Sequence, residues 1–136
     1  MNWISLGAGL GGLSIMLGAF GAHSLKDRLT EQKLATFHTA TEYLGYHALA
    51  LILLGILCIL FGEAGQKALK KVGIFFTAGI ALFSGSLYIL TFDGPRFFGP
   101  VTPFGGLSFM IGWFTLAVAA AKLLKARKER ISDGYD

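Results

Sequence analysis

The sequence predicts an all-α integral membrane protein, a four-helix bundle with an amphipathic interfacial helix between its first and second transmembrane helices. Three observations predict it. Apolar residues make up 54% of the 136 and charged residues only 15%, too few charges to clothe a soluble domain of this size. The charges are also segregated, with none in 4–22, 43–62, 72–92 or 104–121. Each run is about twenty residues, which at ~1.5 Å rise per residue matches a ~30 Å hydrocarbon core. Four such runs leave no room for a separate soluble domain, so residues 1–136 form one unit. Its spans are expected at approximately 4–22, 43–62, 72–92 and 104–122, with an interfacial helix at 24–42 and a basic tail at 122–136.

Span one is expected to be retained rather than cleaved. No Lys or Arg precedes it, its apolar run is too long for a secretory signal, and no A-x-A site follows. Gly7, Gly11, Ser14, Gly18 and Gly21 alternate spacings of four and three, which keeps them on one helix face. Burial gives no drive between helices in lipid, so small residues that let backbones approach mark a packing face. A Leu at Gly11 or Gly18 should then break assembly.

From Ser24 to Glu42 the chain carries Lys26, Asp27, Arg28, Glu31, Lys33, His38 and Glu42 among Leu25, Leu29, Leu34 and Phe37, without Pro or Gly. That pattern reads as an amphipathic helix lying in the headgroup plane, with Ser24 as its N-cap. Span two opens with a polar-aromatic face of Thr39, Tyr43, Tyr46, His47 and Ala50 and then turns to Leu and Ile, with Cys58 alone as a packing residue. A short basic loop, 63–71, holds Lys67, Lys70 and Lys71.

Span three carries Gly73, Thr77, Ala81, Ser84 and Tyr88, and its Ser84 and Ser86 can bond to the preceding turn or to a neighbour. All three prolines, Pro95, Pro100 and Pro103, fall in 93–103, which is therefore expected to be a non-helical connector. Thr102 as N-cap and Pro103 at the first helical position would start span four. Gly105, Ser108 and Gly112 continue it as a packing row, and Trp113, mid-span, is expected to be buried packing.

The first and third loops carry four Lys or Arg, whereas the second loop and the tail carry eight. This favours cytoplasmic N- and C-termini in a multi-pass protein of the cell inner membrane. The sequence pI of about 9.4 therefore reads as topology and contact with membrane lipid, with no nucleic-acid partner. A homo-oligomer or another membrane protein remains open as partner.

This topology gathers His23, Tyr43, Tyr46, His47, Ser84, Ser86 and Tyr88 near the outer membrane boundary as a candidate ligand or polar-network site. Tyr and Cys aside, His47 is the one charge-capable side chain inside a span. Such residues face bundle interiors and are functional candidates by default. It is either a neutral His bonded to a Tyr or Ser of a neighbouring helix, or a ligand or proton group. Bis-His haem ligation would need His23 to face His47, and nothing marks an axial pair. His38 and Glu42 with His23 or Asp27 make only a weak metal pattern, so no metal and no cofactor is expected. A proton-coupled exporter would need an embedded carboxylate, and no span has one. With no nucleophile–base set, phosphate loop or paired carboxylates, no enzyme is expected. The alternative to a partner-binding role is binding or transfer of a quinone, lipid or hydrophobic metabolite at an outer-leaflet site near His23, Tyr46 and His47.

Four strings occur in one order: GAFGAH from Gly18, TATEYLGYHALAL from Thr39, LFSGSLY from Leu82 and TPFGGLSFMIGW from Thr102. The chain resembles, over nearly its whole length, the membrane-protein family known as domain of unknown function 423, whose bacterial members are YgdD-like inner-membrane proteins. Leu44 stands where that pattern has Gln. The resemblance implies a four-helix fold in the bacterial cytoplasmic membrane, and no activity, substrate or cofactor.

Overall fold

The structure, a computed structural model, describes residues 2–132. Its elements are α1 (Trp3–Phe20), prolonged by a wide π-turn at Gly21–Leu25; α2 (Glu31–Leu60); α3 (Gly62–Gly79), joined through a π-turn at Ile80–Ser84 to α4 (Gly85–Thr91); and α5 (Phe98–Ser132). With its π-turns included, this makes four rods long and apolar enough to cross a bilayer, 3–25, 31–60, 62–91 and 98–132. No strand occurs among the described residues.

Successive rods run antiparallel. Along the α1–α2 seam, Gly7 meets Ala48 and Ile52, Gly11 meets Ala48, Ser14 faces Gly45, Gly18 meets Thr41 and Gly21 meets Phe37. A Cβ at Gly7 would fall on the α2 backbone, whereas at Gly11 and Gly18 it would make ordinary contacts of 3.9 and 3.8 Å. The small row therefore contains one position that fixes the helix separation and others that only allow it. Along α5, Gly105 packs on the backbone of Phe83 and Gly112 on the ring of Phe76, while Ser108 donates to the Phe75 carbonyl at 2.8 Å. Leu44, Leu51, Leu54, Leu69, Val72, Phe76 and Phe109 form the core. α2 and the α3–α4 rod are the central pair, flanked by α1 and α5. Only 11% of the most apolar stretch of the α1 rod is buried, against 44% for α2.

The four-helix, all-α architecture is as the sequence predicts, but three joints differ. The stretch expected as a separate interfacial helix at 24–42 is divided. Ser24 sits in the π-turn that extends α1, and α2 begins after Thr30, whose hydroxyl accepts from the Lys33 N–H at 3.4 Å. From there α2 runs unbroken through Tyr43. Nothing at Tyr43 interrupts the helical hydrogen bonds, and the buried face Phe37, Ala40, Thr41 and Leu44 continues into Ala48 and Leu51. Ser24 caps nothing because the residues around it stay helical.

The expected loop 63–71 is instead the start of α3. The reversal is made at Phe61 and Gly62, where Gly62 adopts φ +56°, a left-handed conformation that glycine takes without steric cost. Gly65, Leu69 and Val72 then turn inward while Lys67, Lys70 and Lys71 face out, an amphipathic pattern whose charge resembles that of a loop. The Pro-rich connector shrinks as well, since α5 starts at Phe98 and contains Pro103. Pro100 falls among the first four residues, whose N–H groups have no intrahelical acceptor, so only Pro103 removes a bond. α5 also continues past the expected end of span four, to Ser132; residues 133–136 of the basic tail lie outside the described residues.

Candidate functional site

The sequence-predicted residues do not form one site. They divide into two hydrogen-bonded nodes, a separate Ser86–Thr102 pair, one serine unpartnered among the described residues and two exposed side chains.

The first node centres on His47, which is buried. Its Nδ1 lies 2.8 Å from the Tyr43 carbonyl oxygen. A carbonyl can only accept, so Nδ1 carries the proton and Nε2 keeps its lone pair. That lone pair accepts the Trp113 indole N–H at 3.1 Å. The ring lies flat on Phe109, centroids 3.5 Å apart at 11°, and meets the edge of Phe76 at 5.3 Å. Tyr43 lies beside this stacked pair, 6.1 Å from His47 and 6.0 Å from Phe109, and packs on Phe83 at 4.6 Å. The imidazole is thus a neutral tautomer with both nitrogens engaged, so no lone pair is free for a metal, haem or substrate. It bonds across helices as one reading expected, but its partner is Trp113 rather than a Tyr or Ser. Trp113 is not buried packing: it is 47% exposed, with its N–H turned inward.

The second node joins three rods. Ser14 of α1 donates to the Thr41 carbonyl at 3.0 Å; the Thr41 hydroxyl donates to the Phe37 carbonyl at 2.9 Å and so accepts from Tyr88 of α4, also at 2.9 Å. The Tyr88 ring meets Phe37 edge-on at 5.2 Å. Nearby, Ser86 and Thr102 share a 2.7 Å bond that pins α4 to α5, and Ser86 donates to the Phe83 carbonyl at 3.0 Å. Thr102 is therefore not an N-cap but an interior residue whose hydroxyl bridges rods. Ser84, 1% exposed in the second π-turn, has no partner for its hydroxyl among the described residues.

Tyr46 is 60% exposed and His23 is exposed on the first π-turn. Gly21, two residues before His23, lies against Phe37 and His38. His47 is ten residues farther along α2, ~15 Å of helix rise. His23 and His47 are not neighbours. No group of three His, Cys, Asp or Glu side chains among the described residues is close enough to hold a metal ion.

Sequence reasoning missed Phe76, Phe109 and Trp113. The signal was present as two i,i+4 pairs, Tyr43–His47 on α2 and Phe109–Trp113 on α5, which interleave across the bundle.

Comparison with known proteins bears on what such an arrangement serves. A family model described as a protein of unknown function, DUF423, matches residues 17–106. The chain belongs to the DUF423 family. It is 41% identical over 122 residues to the UPF0382 membrane protein YwdK of Bacillus subtilis, covering 90% of this chain and 98% of that one. It is 38% identical over 122 residues to the UPF0382 membrane protein SAB0533 of Staphylococcus aureus, covering 88% and 95%. Over 117 residues it is 35% identical to the UPF0382 inner membrane protein YgdD of Escherichia coli, covering 83% and 84%. No solved structure matches the chain. Both nodes involve residues inside the matched segment, and Trp113 lies just beyond it. The protein is thus a membrane protein whose helices are tied by buried polar contacts.

Proposed function

We propose that this is a non-enzymatic protein of the cytoplasmic (inner) membrane, with both termini in the cytoplasm, that acts through protein or lipid partners docked on α1. One observation carries the reading. α1 packs its first small row on α2 yet carries further small residues elsewhere, and a Cβ added at Gly9 or Gly12 would meet nothing within 4 Å. A spanning helix with glycines on an open face invites close approach of another helix. Eight Lys and Arg at the end holding the second turn and tail, against four at the other, support the orientation. The inner-membrane relative in Escherichia coli supports the location.

What supports a non-catalytic role is that the chemistry-bearing groups of both nodes bond to each other. The competing reading, a small amphipathic molecule near His23, Tyr46 and His47, has less support. Those histidines are ~15 Å apart along the helix axis, and His47 has no free nitrogen. It predicts a His47→Ala protein that folds normally and loses ligand.

Co-purification from native membranes tests the proposal. The full chain is expected to bring down a stoichiometric membrane partner or a second copy. Gly12→Leu, whose side chain points away from the fold, is expected to lose that partner while keeping its helical content and unfolding temperature. A partnerless monomer carrying a bound small molecule would overturn it.

A further inference from the structure

The end of the bundle away from the nodes holds a cleft of about 680 Å³ between the start of α1, the end of α2 and the first turns of α3. That volume lies within the range of small-molecule sites. Its walls differ sharply in character. Ile4, Ile59 and Ile74 give an apolar side, while Gln66, Lys67 and Lys70 give a polar, cationic one. Lys67, Lys70 and Ile74 follow i, i+3, i+7 spacing, so one helix face presents two amines and then, half a dozen ångströms deeper, an alkyl wall.

Neither ammonium has an anionic partner among the described residues; the ion pairs there are Lys33–Asp93 and Lys125–Glu129. Glu63, one turn before Lys67, pairs with neither. The cleft also opens at the end where Arg127 of α5 lies over the Phe61 ring at 5.9 Å. The basic tail therefore adds to the same positive field.

We infer that this cleft binds one anionic phospholipid, with its phosphate between Lys67 and Lys70 and an acyl chain along Ile4, Ile59 and Ile74. A free inorganic anion would use the amines and leave the alkyl wall empty. A zwitterionic lipid would use the wall and bring a cation to the amines. Only a lipid with net negative charge matches both halves, and basic pockets between spanning helices are suited to such headgroups. The inference stands apart from the partner reading, because it uses the cleft and not the open face of α1.

Native mass spectrometry of the detergent-solubilised full chain tests it, with dioleoylphosphatidylglycerol as probe, dioleoylphosphatidylcholine as the zwitterionic arm and inorganic phosphate as competitor. The wild type is expected to retain one phosphatidylglycerol in preference to phosphatidylcholine, undisturbed by phosphate. The Lys67→Gln/Lys70→Gln protein is expected to bind it about thirtyfold more weakly, the ratio for losing two amines near a lipid surface. Ile74→Trp, which fills the wall and keeps the charge, should lose it too. Lys125→Gln/Lys128→Gln, which leaves the cleft intact and removes only part of the surrounding field, should weaken binding far less than the cleft pair does. All these side chains are exposed, so circular dichroism is expected to show unchanged folds. Equal binding of phosphatidylcholine, displacement by phosphate, retention in either cleft variant, or an equal loss in the tail variant would each overturn the inference.

Discussion

The two ends of this bundle treat their polar groups in opposite ways. Toward the first and third turns, His47, Trp113, Thr41, Tyr88, Ser86 and Thr102 are joined to one another or to backbone carbonyls. Toward the termini, Lys67 and Lys70 line an open cleft without anionic partners among the described residues. A polar side chain in lipid must find a partner within the protein or reach the interface. One end takes the first solution, Ser84 excepted, and the other takes the second. The difference teaches where to look: the residues most eye-catching in the sequence hold the helices together, and the plain basic stretch is the part left free to meet something else.

The largest effect should come from breaking the closed end where backbones touch. A Cβ at Gly105 would fall on the backbone of Phe83, which has no rotamer to yield. Gly105→Ala is expected to destabilise by about 3 kcal/mol, the upper end of the usual range for overpacking. At the adjacent Gly106 the same methyl would sit 3.8 Å from the Phe83 ring, an ordinary contact, so Gly106→Ala should change stability by less than about 0.5 kcal/mol. Thermal unfolding in detergent compares the two. Similar losses would mean that α5 is not held by backbone contact at this point.

That contrast also shows what the sequence made legible. Charge segregation alone disclosed four spans, because a bilayer has one thickness and penalises charge within it. Joints were less visible. Lys67, Lys70 and Lys71 read as a loop when charge density alone marks the stop, although Gly65, Leu69 and Val72 carry the helical period. The prolines of 93–103 read as a non-helical connector, although Pro100, among the first four residues of α5, costs no helical bond and Pro103 costs one. At the candidate site, His47 was identifiable as a buried polar residue, but its partner depended on the rotation of α5 relative to α2. No local pattern encodes that rotation, and the wide turn at Ile80–Ser84 shifts helix phase in a way periodicity cannot anticipate.

A smaller effect is expected from the His47–Trp113 bond. Interhelical hydrogen bonds in membrane proteins contribute about 0.6 kcal/mol on average and reach about 1.7. A double-mutant cycle with His47→Phe and Trp113→Phe removes the bond and keeps aromatic rings in place. The coupling should fall near the upper value, since the Nε2 of a buried imidazole has no other donor among the described residues. A coupling indistinguishable from zero would mean that ring stacking on Phe109, not the hydrogen bond, holds this node, and the closed end would then be closed by shape alone.

The smallest effect belongs to the rim. Lys33 and Asp93 form an ion pair between the start of α2 and the turn after α4, with side chains 33% and 79% exposed. Exposed pairs of this kind contribute about 0–1 kcal/mol, and salt screens them within about 10 Å at moderate ionic strength. Asp93 also holds a left-handed backbone, φ +58°. Asp93→Asn is therefore the suitable partner for Lys33→Met, because Asn accepts that conformation about as well and removes only the charge. The cycle is expected to give a coupling below about 0.5 kcal/mol in low salt and none in high salt. A coupling above about 1 kcal/mol that survives salt would mean the pair is shielded. The closed region would then reach past the nodes to the outermost turn, and the contrast with the cleft would span the full height of the bundle.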